Sequence, residues 1–130
     1  MSDLITPLRR ARGLGSAKHG VGHFIGQRVS AVALLLLSPW ALWAGVHLAG
    51  RDFDTIRNWL ASPINASLLI LFVLAGFYHA QLGMRVIIED YVETPLTRTL
   101  LLIANVFVAA MAATLATVCI LGVMLGGTSA

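Results

Sequence analysis

Residues 79–91 combine several kinds of reactive side chain within an otherwise apolar part of the chain. At 3.6 residues per turn, Gly83, Val86 and Asp90 fall within about 40° of His79 on one face of a helix. Asp90 lies about three turns, or roughly 16 Å, beyond His79 along the axis. One helical stripe therefore carries an imidazole, a position without a side chain and a carboxylate.

His79 is the residue of this stretch with the widest range of chemistry. An ionisable group inside a membrane is costly, so such a histidine is a candidate ligand of haem iron, a step in a proton path, or a packing hydrogen bond to another helix. Gly76 and Gly83 leave the helix surface bare on both sides of the imidazole, where a flat macrocycle could approach. Glycines at this spacing also serve helix packing, so the residues alone leave these alternatives open.

Two roles are also open for Arg28. An arginine at the edge of an apolar stretch commonly anchors a helix by extending its charge to the membrane surface. Its planar guanidinium also suits a carboxylate, and if Arg28 faces the helix that carries His79, it could pair with a haem propionate. Arg85, about one and a half turns beyond His79, could do the same.

The elements that must position these residues are three long apolar stretches. The chain is 58% hydrophobic and 12% charged, with a mean hydropathy of +0.83. A membrane-spanning helix needs about 20 mainly apolar residues, and such stretches occur at about 24–48, 66–91 and 96–125. We therefore predict an all-α membrane protein with three transmembrane helices. Pro39 should kink the first, and Thr94-Pro95 reads as the start of the third.

The charges of the short flanking segments predict an orientation. The basic arm at 1–23 contributes more positive charge than the first loop, which places the N-terminus in the cytoplasm and the C-terminus on the far side. This accounts for the formal charge of +3 without a nucleic-acid partner. The loop at 49–64 should be interfacial, with a surface helical turn. The run at 29–48 is too long for the core of a signal peptide and should stay in the membrane. The absence of a convincing cleavable presequence favours the bacterial cytoplasmic membrane over the mitochondrial inner membrane.

Two segments carry a family resemblance. His79 to Val92 reads His-Ala-x-x-Gly-Met-x-x-x-x-x-Asp-Tyr-Val, and Gly20 to Arg28 reads Gly-Val-Gly-His-Phe-Ile-Gly-Gln-Arg before an apolar helix. The first closely resembles the second helix of the small, D-type hydrophobic membrane-anchor subunit of succinate dehydrogenase, respiratory complex II. The second is similar to the residues that lead into the first helix in that family. The third helix and first loop match in character only.

The resemblance implies roles for individual residues. His79 matches an axial ligand of haem b, whose second ligand comes from a companion anchor subunit, and Gly83 belongs to the same cofactor-binding motif. Arg28 matches an arginine near the haem propionates. Tyr91 matches a residue that hydrogen-bonds a ubiquinone carbonyl, and Asp90 matches a carboxylate of that pocket and its proton supply. A phenol is a good donor to a quinone, although an aromatic beside a solvated acid is also common at span ends.

The resemblance also implies partners and a function. The chain would form a heteromeric anchor bundle with a cytochrome b-type subunit, attached to an iron-sulfur subunit and a flavoprotein subunit. It would not oxidise succinate itself, but would help to pass electrons from succinate to quinone in the respiratory chain and the tricarboxylic acid cycle. A haem-free structural anchor and a small transporter or channel subunit are the alternatives. The charges cluster at span ends, whereas those of a transporter should line a pore.

Overall fold

The computed structural model describes residues 20–126 together with Leu8. The range 20–126 contains four helices and no strand: α1 (Gly20–Leu48), α2 (Phe53–Leu60), α3 (Pro63–Tyr91) and α4 (Pro95–Met124). Three of these, α1, α3 and α4, are long and apolar enough to cross a membrane. The predicted all-α fold with three spans is confirmed.

The ends of the helices differ from the predicted spans by a few residues. α1 begins at Gly20, so residues 20–23 of the expected N-terminal arm are its first turn. α3 begins at Pro63, because proline has the backbone angle of a first helical turn and lacks only an amide that would be unpaired there. Thr94 and Pro95 begin α4 as predicted, and Gly126, at φ +75°, follows its end.

The expected surface turn of the first loop is a helix of eight residues, α2. Asp52 caps it, accepting hydrogen bonds from the Thr55 hydroxyl at 2.6 Å and the Thr55 amide at 3.3 Å. These bonds, the hydroxyl first, lower the pKa of Asp52. The cap is therefore intact above the ordinary carboxyl pKa and is lost as pH falls through the lowered value. Trp59 stacks on Trp40 of α1 at 5.9 Å, which ties α2 to the first span.

α3 is the central helix, because it packs against α1 on one side and α4 on another. The Asn105 side chain of α4 donates a 2.9 Å hydrogen bond to the Gln81 carbonyl of α3. Leu60, Ala66 and Ile120 form a buried cluster where α2, the start of α3 and the end of α4 meet. Most large apolar side chains are exposed, as expected of helices that face lipid or other subunits.

At Gly26, side chains of α3 pack directly against the backbone of α1. A Cβ atom at this position would lie 2.6 Å from the Tyr78 hydroxyl and 3.4 Å from Leu82, whereas nothing lies within 4 Å of one at Gly22. Gly26→Ala should therefore force Tyr78 to move and destabilise the packing by about 1–3 kcal/mol. The apparent melting temperature of the purified complex should fall.

Gly22→Ala is the matched control for Gly26→Ala, because both positions lie in α1 and gain the same helix propensity from alanine. It should leave the melting temperature unchanged or slightly raised. Equal melting temperatures in the two variants would contradict the close approach at Gly26.

Candidate functional site

His79 lies near the middle of α3, where its imidazole contacts α1. Its Nδ1 atom is 3.0 Å from the Ser30 hydroxyl oxygen. Ser30 is only 4% exposed, and its hydroxyl also donates a 3.1 Å hydrogen bond to the backbone carbonyl of Gln27, one turn earlier in α1. A polar contact therefore joins the two helices at the depth of the imidazole.

The two glycines that flank His79 have different surroundings. A Cβ atom at Gly76 would lie 4.0 Å from a methyl group of Leu34 in α1, whereas nothing lies within 4 Å of one at Gly83. The prediction of a bare surface on both sides of the imidazole is therefore correct for Gly83, while Gly76 serves helix packing. The Gly83 side is where a further group has room.

Two buried polar atoms on α1 lie on the side of the helix that carries Ser30. The His23 Nε2 and Gln27 Oε1 atoms have no hydrogen-bond partner within the part of the chain that the structure describes. Gln27 and His23 fall within about 60° of Ser30 around α1, one and two turns nearer its N-terminus respectively. Since buried polar atoms are normally hydrogen-bonded, both atoms can take a partner from outside the chain: the Gln27 oxygen needs a donor, whereas His23 Nε2 can pair with a donor or an acceptor, according to its tautomer.

The structure gives the direction of Arg28 around α1, which the sequence left open. Arg28 and Ser30 are separated by about 160° around α1, so Arg28 lies on the face away from α3. Its guanidinium lies over the Phe24 ring, 5.2 Å from the centroid. Arg85, the other candidate, is bound to Glu89 of the same helix at 2.8 Å. In the sequence, the place of Arg28 at the span edge indicated its depth, but not its direction around α1.

Asp90 and Tyr91 occupy the last turn of α3, about 16 Å and 18 Å from His79 along the helix axis. Both are exposed, and Tyr91 reaches 81%. The structure therefore places His79 and the Asp90-Tyr91 pair on one helix, separated along its axis. Their exposure leaves both side chains accessible to a ligand or to another subunit.

Sequence reasoning missed Ser30. The available signal was a hydroxyl in an apolar helix, since such groups commonly bond across helices in membranes. Its partner could not be read from the sequence, because Ser30 and His79 are 49 residues apart.

The family of succinate dehydrogenase/fumarate reductase transmembrane subunits matches residues 2–119. The chain belongs to this family. It is 37% identical over 107 residues to the succinate dehydrogenase hydrophobic membrane anchor subunit of Rickettsia conorii, covering 81% of this chain and 85% of the relative. The subunit of the same name from Rickettsia bellii is 38% identical over 102 residues, or 78% and 82% of the two chains. That of Paracoccus denitrificans is 32% identical over 103 residues, or 79% and 80%.

The predicted membership of the succinate dehydrogenase anchors is confirmed by these matches. The chain is a succinate dehydrogenase membrane-anchor subunit, and an anchor of this kind works as part of a complex. Its three apolar helices and its bacterial relatives make it a bacterial membrane protein.

Proposed function

We propose that this membrane anchor holds a haem b together with a companion cytochrome b-type subunit, with His79 as one axial ligand of the iron. The observation that carries the proposal is the imidazole in the middle of a span, next to the open flank at Gly83. When bound, the haem supplies a one-electron redox centre within the membrane. The second axial ligand comes from the companion subunit.

Arg28 is the candidate partner of a haem propionate. Its backbone lies about 3 Å from the level of Ser30 along the axis of α1, so its long side chain starts near the depth of His79. The guanidinium now lies over Phe24, an exposed cation–π contact worth about 0.5–1 kcal/mol. A hydrogen bond to a charged group is worth about 1.5–3 kcal/mol, enough to draw the side chain away.

The end of α3 contributes to the reduction of ubiquinone. Tyr91 donates a hydrogen bond to a quinone carbonyl, and Asp90 beside it supports proton delivery, because reduction of a quinone by two electrons consumes two protons. The exposure of both side chains supports this proposal, since a quinone and a neighbouring subunit can reach them. The chain thus helps to pass electrons from succinate to quinone, within the tricarboxylic acid cycle and the respiratory chain.

The proposed partners are the companion anchor, an iron-sulfur subunit, a flavoprotein subunit and membrane lipid. The soluble subunits attach at the cytoplasmic side, where the first span begins and the second ends. This arrangement brings the electron source near Tyr91.

We predict that the N-terminus is cytoplasmic and the C-terminus is on the opposite side of the inner membrane. Reporters fused to each end can test this: one that fluoresces only in the cytoplasm should be active at the N-terminus, and one that folds only in the periplasm should be active at the C-terminus. The exchanged fusions are the control and should be silent. A periplasmic signal from the N-terminal fusion would contradict the orientation.

A visible spectrum of the purified complex, combined with mass analysis of its subunits, tests the proposed cofactor and partners together. The proposal expects a low-spin haem b spectrum and four kinds of subunit. A complex with all its subunits but no haem absorption would favour a haem-free structural anchor. Solute flux through vesicles that contain the isolated chain would favour a channel subunit.

A further inference from the structure

Ser30 and His79 form a contact in which the position of one proton decides what the imidazole can do. The Ser30 oxygen is 3.0 Å from His79 Nδ1 and 3.1 Å from the Gln27 carbonyl oxygen. Both distances are those of hydrogen bonds. A serine hydroxyl has a single proton to donate, but its oxygen can accept as well.

One arrangement makes both contacts hydrogen bonds. The carbonyl of Gln27 can only accept, so the Ser30 proton must point toward it. The Ser30 oxygen then accepts a proton from His79, which places the imidazole proton on Nδ1. In the neutral ring the other nitrogen, Nε2, is left with a free lone pair. This is the form of histidine that binds a metal.

We propose that Ser30 is a positioning residue for His79, which sets its tautomer and ring orientation so that Nε2 faces the haem iron. The inference rests on the proposed haem ligation by His79. The nitrogen of a metal-bound histidine that does not bind the metal commonly donates to an oxygen, and loss of that partner lowers metal affinity or activity about 10–100-fold. Ser30 supplies the oxygen from another helix.

Burial strengthens the effect of this contact. Ser30 is 4% exposed, so water does not readily replace its hydroxyl. A donated hydrogen bond from Nδ1 makes Nε2 a more basic ligand, which favours the oxidised iron. Removal of the acceptor should therefore raise the midpoint potential of the haem.

The test uses three variants of the intact complex. Ser30→Thr keeps the hydroxyl, and a helical threonine can bond to the same preceding turn. Ser30→Val has nearly the shape of the threonine but no hydroxyl. Ser38→Val makes the same change about 12 Å further along α1 and controls for the effect of valine in this helix. The readouts are the redox titration of the haem and its low-spin electron paramagnetic resonance spectrum.

Ser30→Val should raise the midpoint potential of the haem and shift its resonance spectrum, or should lose the haem. Ser30→Thr and Ser38→Val should both stay near the wild type. Wild-type values in Ser30→Val would overturn the inference, as would equal shifts in Ser30→Val and Ser30→Thr or in the two valine variants. These outcomes leave the proposed function intact. Absence of haem from the wild-type complex, or an unchanged haem in His79→Ala, would overturn both.

Discussion

Replacement of His79 by alanine is expected to abolish or strongly alter the low-spin haem b spectrum of the assembled complex. The substitution removes the nitrogen that we propose as an axial ligand, and alanine has no atom to replace it. The iron would then keep one strong axial ligand and move toward a high-spin state. Difference spectra of the reduced and oxidised complex, with the haem content measured per flavin, would record the loss.

His47→Ala is the matched control for the His79 variant. His47 is exposed at the other end of α1, with its ring stacked on Trp43 at 5.3 Å, so its removal should leave the haem spectrum unchanged. An unchanged spectrum in an intact His79→Ala complex would rule out axial ligation. Subunit analysis must accompany the spectra, because a bound cofactor also stabilises the folded complex and its loss can weaken assembly.

Replacement of Tyr91 by phenylalanine is expected to slow quinone reduction by about 10²-fold, the typical effect of losing a donor whose bond strengthens as charge develops on an oxygen. The ring still packs, so haem content and assembly should be retained. Assays with two different electron acceptors separate succinate oxidation from quinone reduction. Succinate oxidation with a dye that takes electrons from the soluble subunits should stay near normal, whereas reduction of a ubiquinone analogue should fall.

Tyr78→Phe provides the control, because it removes the other tyrosine hydroxyl of the chain from the same helix, thirteen residues or about 20 Å before Tyr91. It should leave quinone reduction near the wild-type rate. Full activity of Tyr91→Phe with both acceptors would show that Tyr91 is only an interfacial aromatic residue. A parallel loss with both acceptors would indicate damaged assembly and leave the quinone assignment without support.

The sequence predicted which segments form helices better than it predicted which side of each helix packs against its neighbours. Three apolar runs and the Thr94-Pro95 start are local signals, and the structure has α4 beginning where they indicate. The first two helices begin before the predicted spans, because α1 includes residues 20–23 and Pro63 is the first residue of α3. α2 was foreseen only as a surface turn, since its cap at Asp52 is a short polar signal among loop residues.

The candidate site could be predicted only in part. Spacing along one helix located His79 and Gly83 on a shared stripe, because the helical repeat fixes those relations. Spacing could not predict which side of His79 would be covered by α1, or in which direction Arg28 would point. Both depend on the rotation of α1 about its axis relative to α3. The contact between Ser30 and His79 depends on that same rotation, across 49 residues of sequence.

The buried cluster of Leu60, Ala66 and Ile120 has a consequence for a copy of the chain that has not yet joined a complex. It clamps α2, the start of α3 and the end of α4 at one membrane face, while Asp90 and Tyr91 lie at the other. In a chain that has not joined a complex, the cluster holds these helices together at the first face, while the exposed Asp90 and Tyr91 side chains at the second face remain open to other subunits. Docking of another subunit at that second face would cover these side chains, so their accessibility would distinguish an unassembled copy from an assembled one.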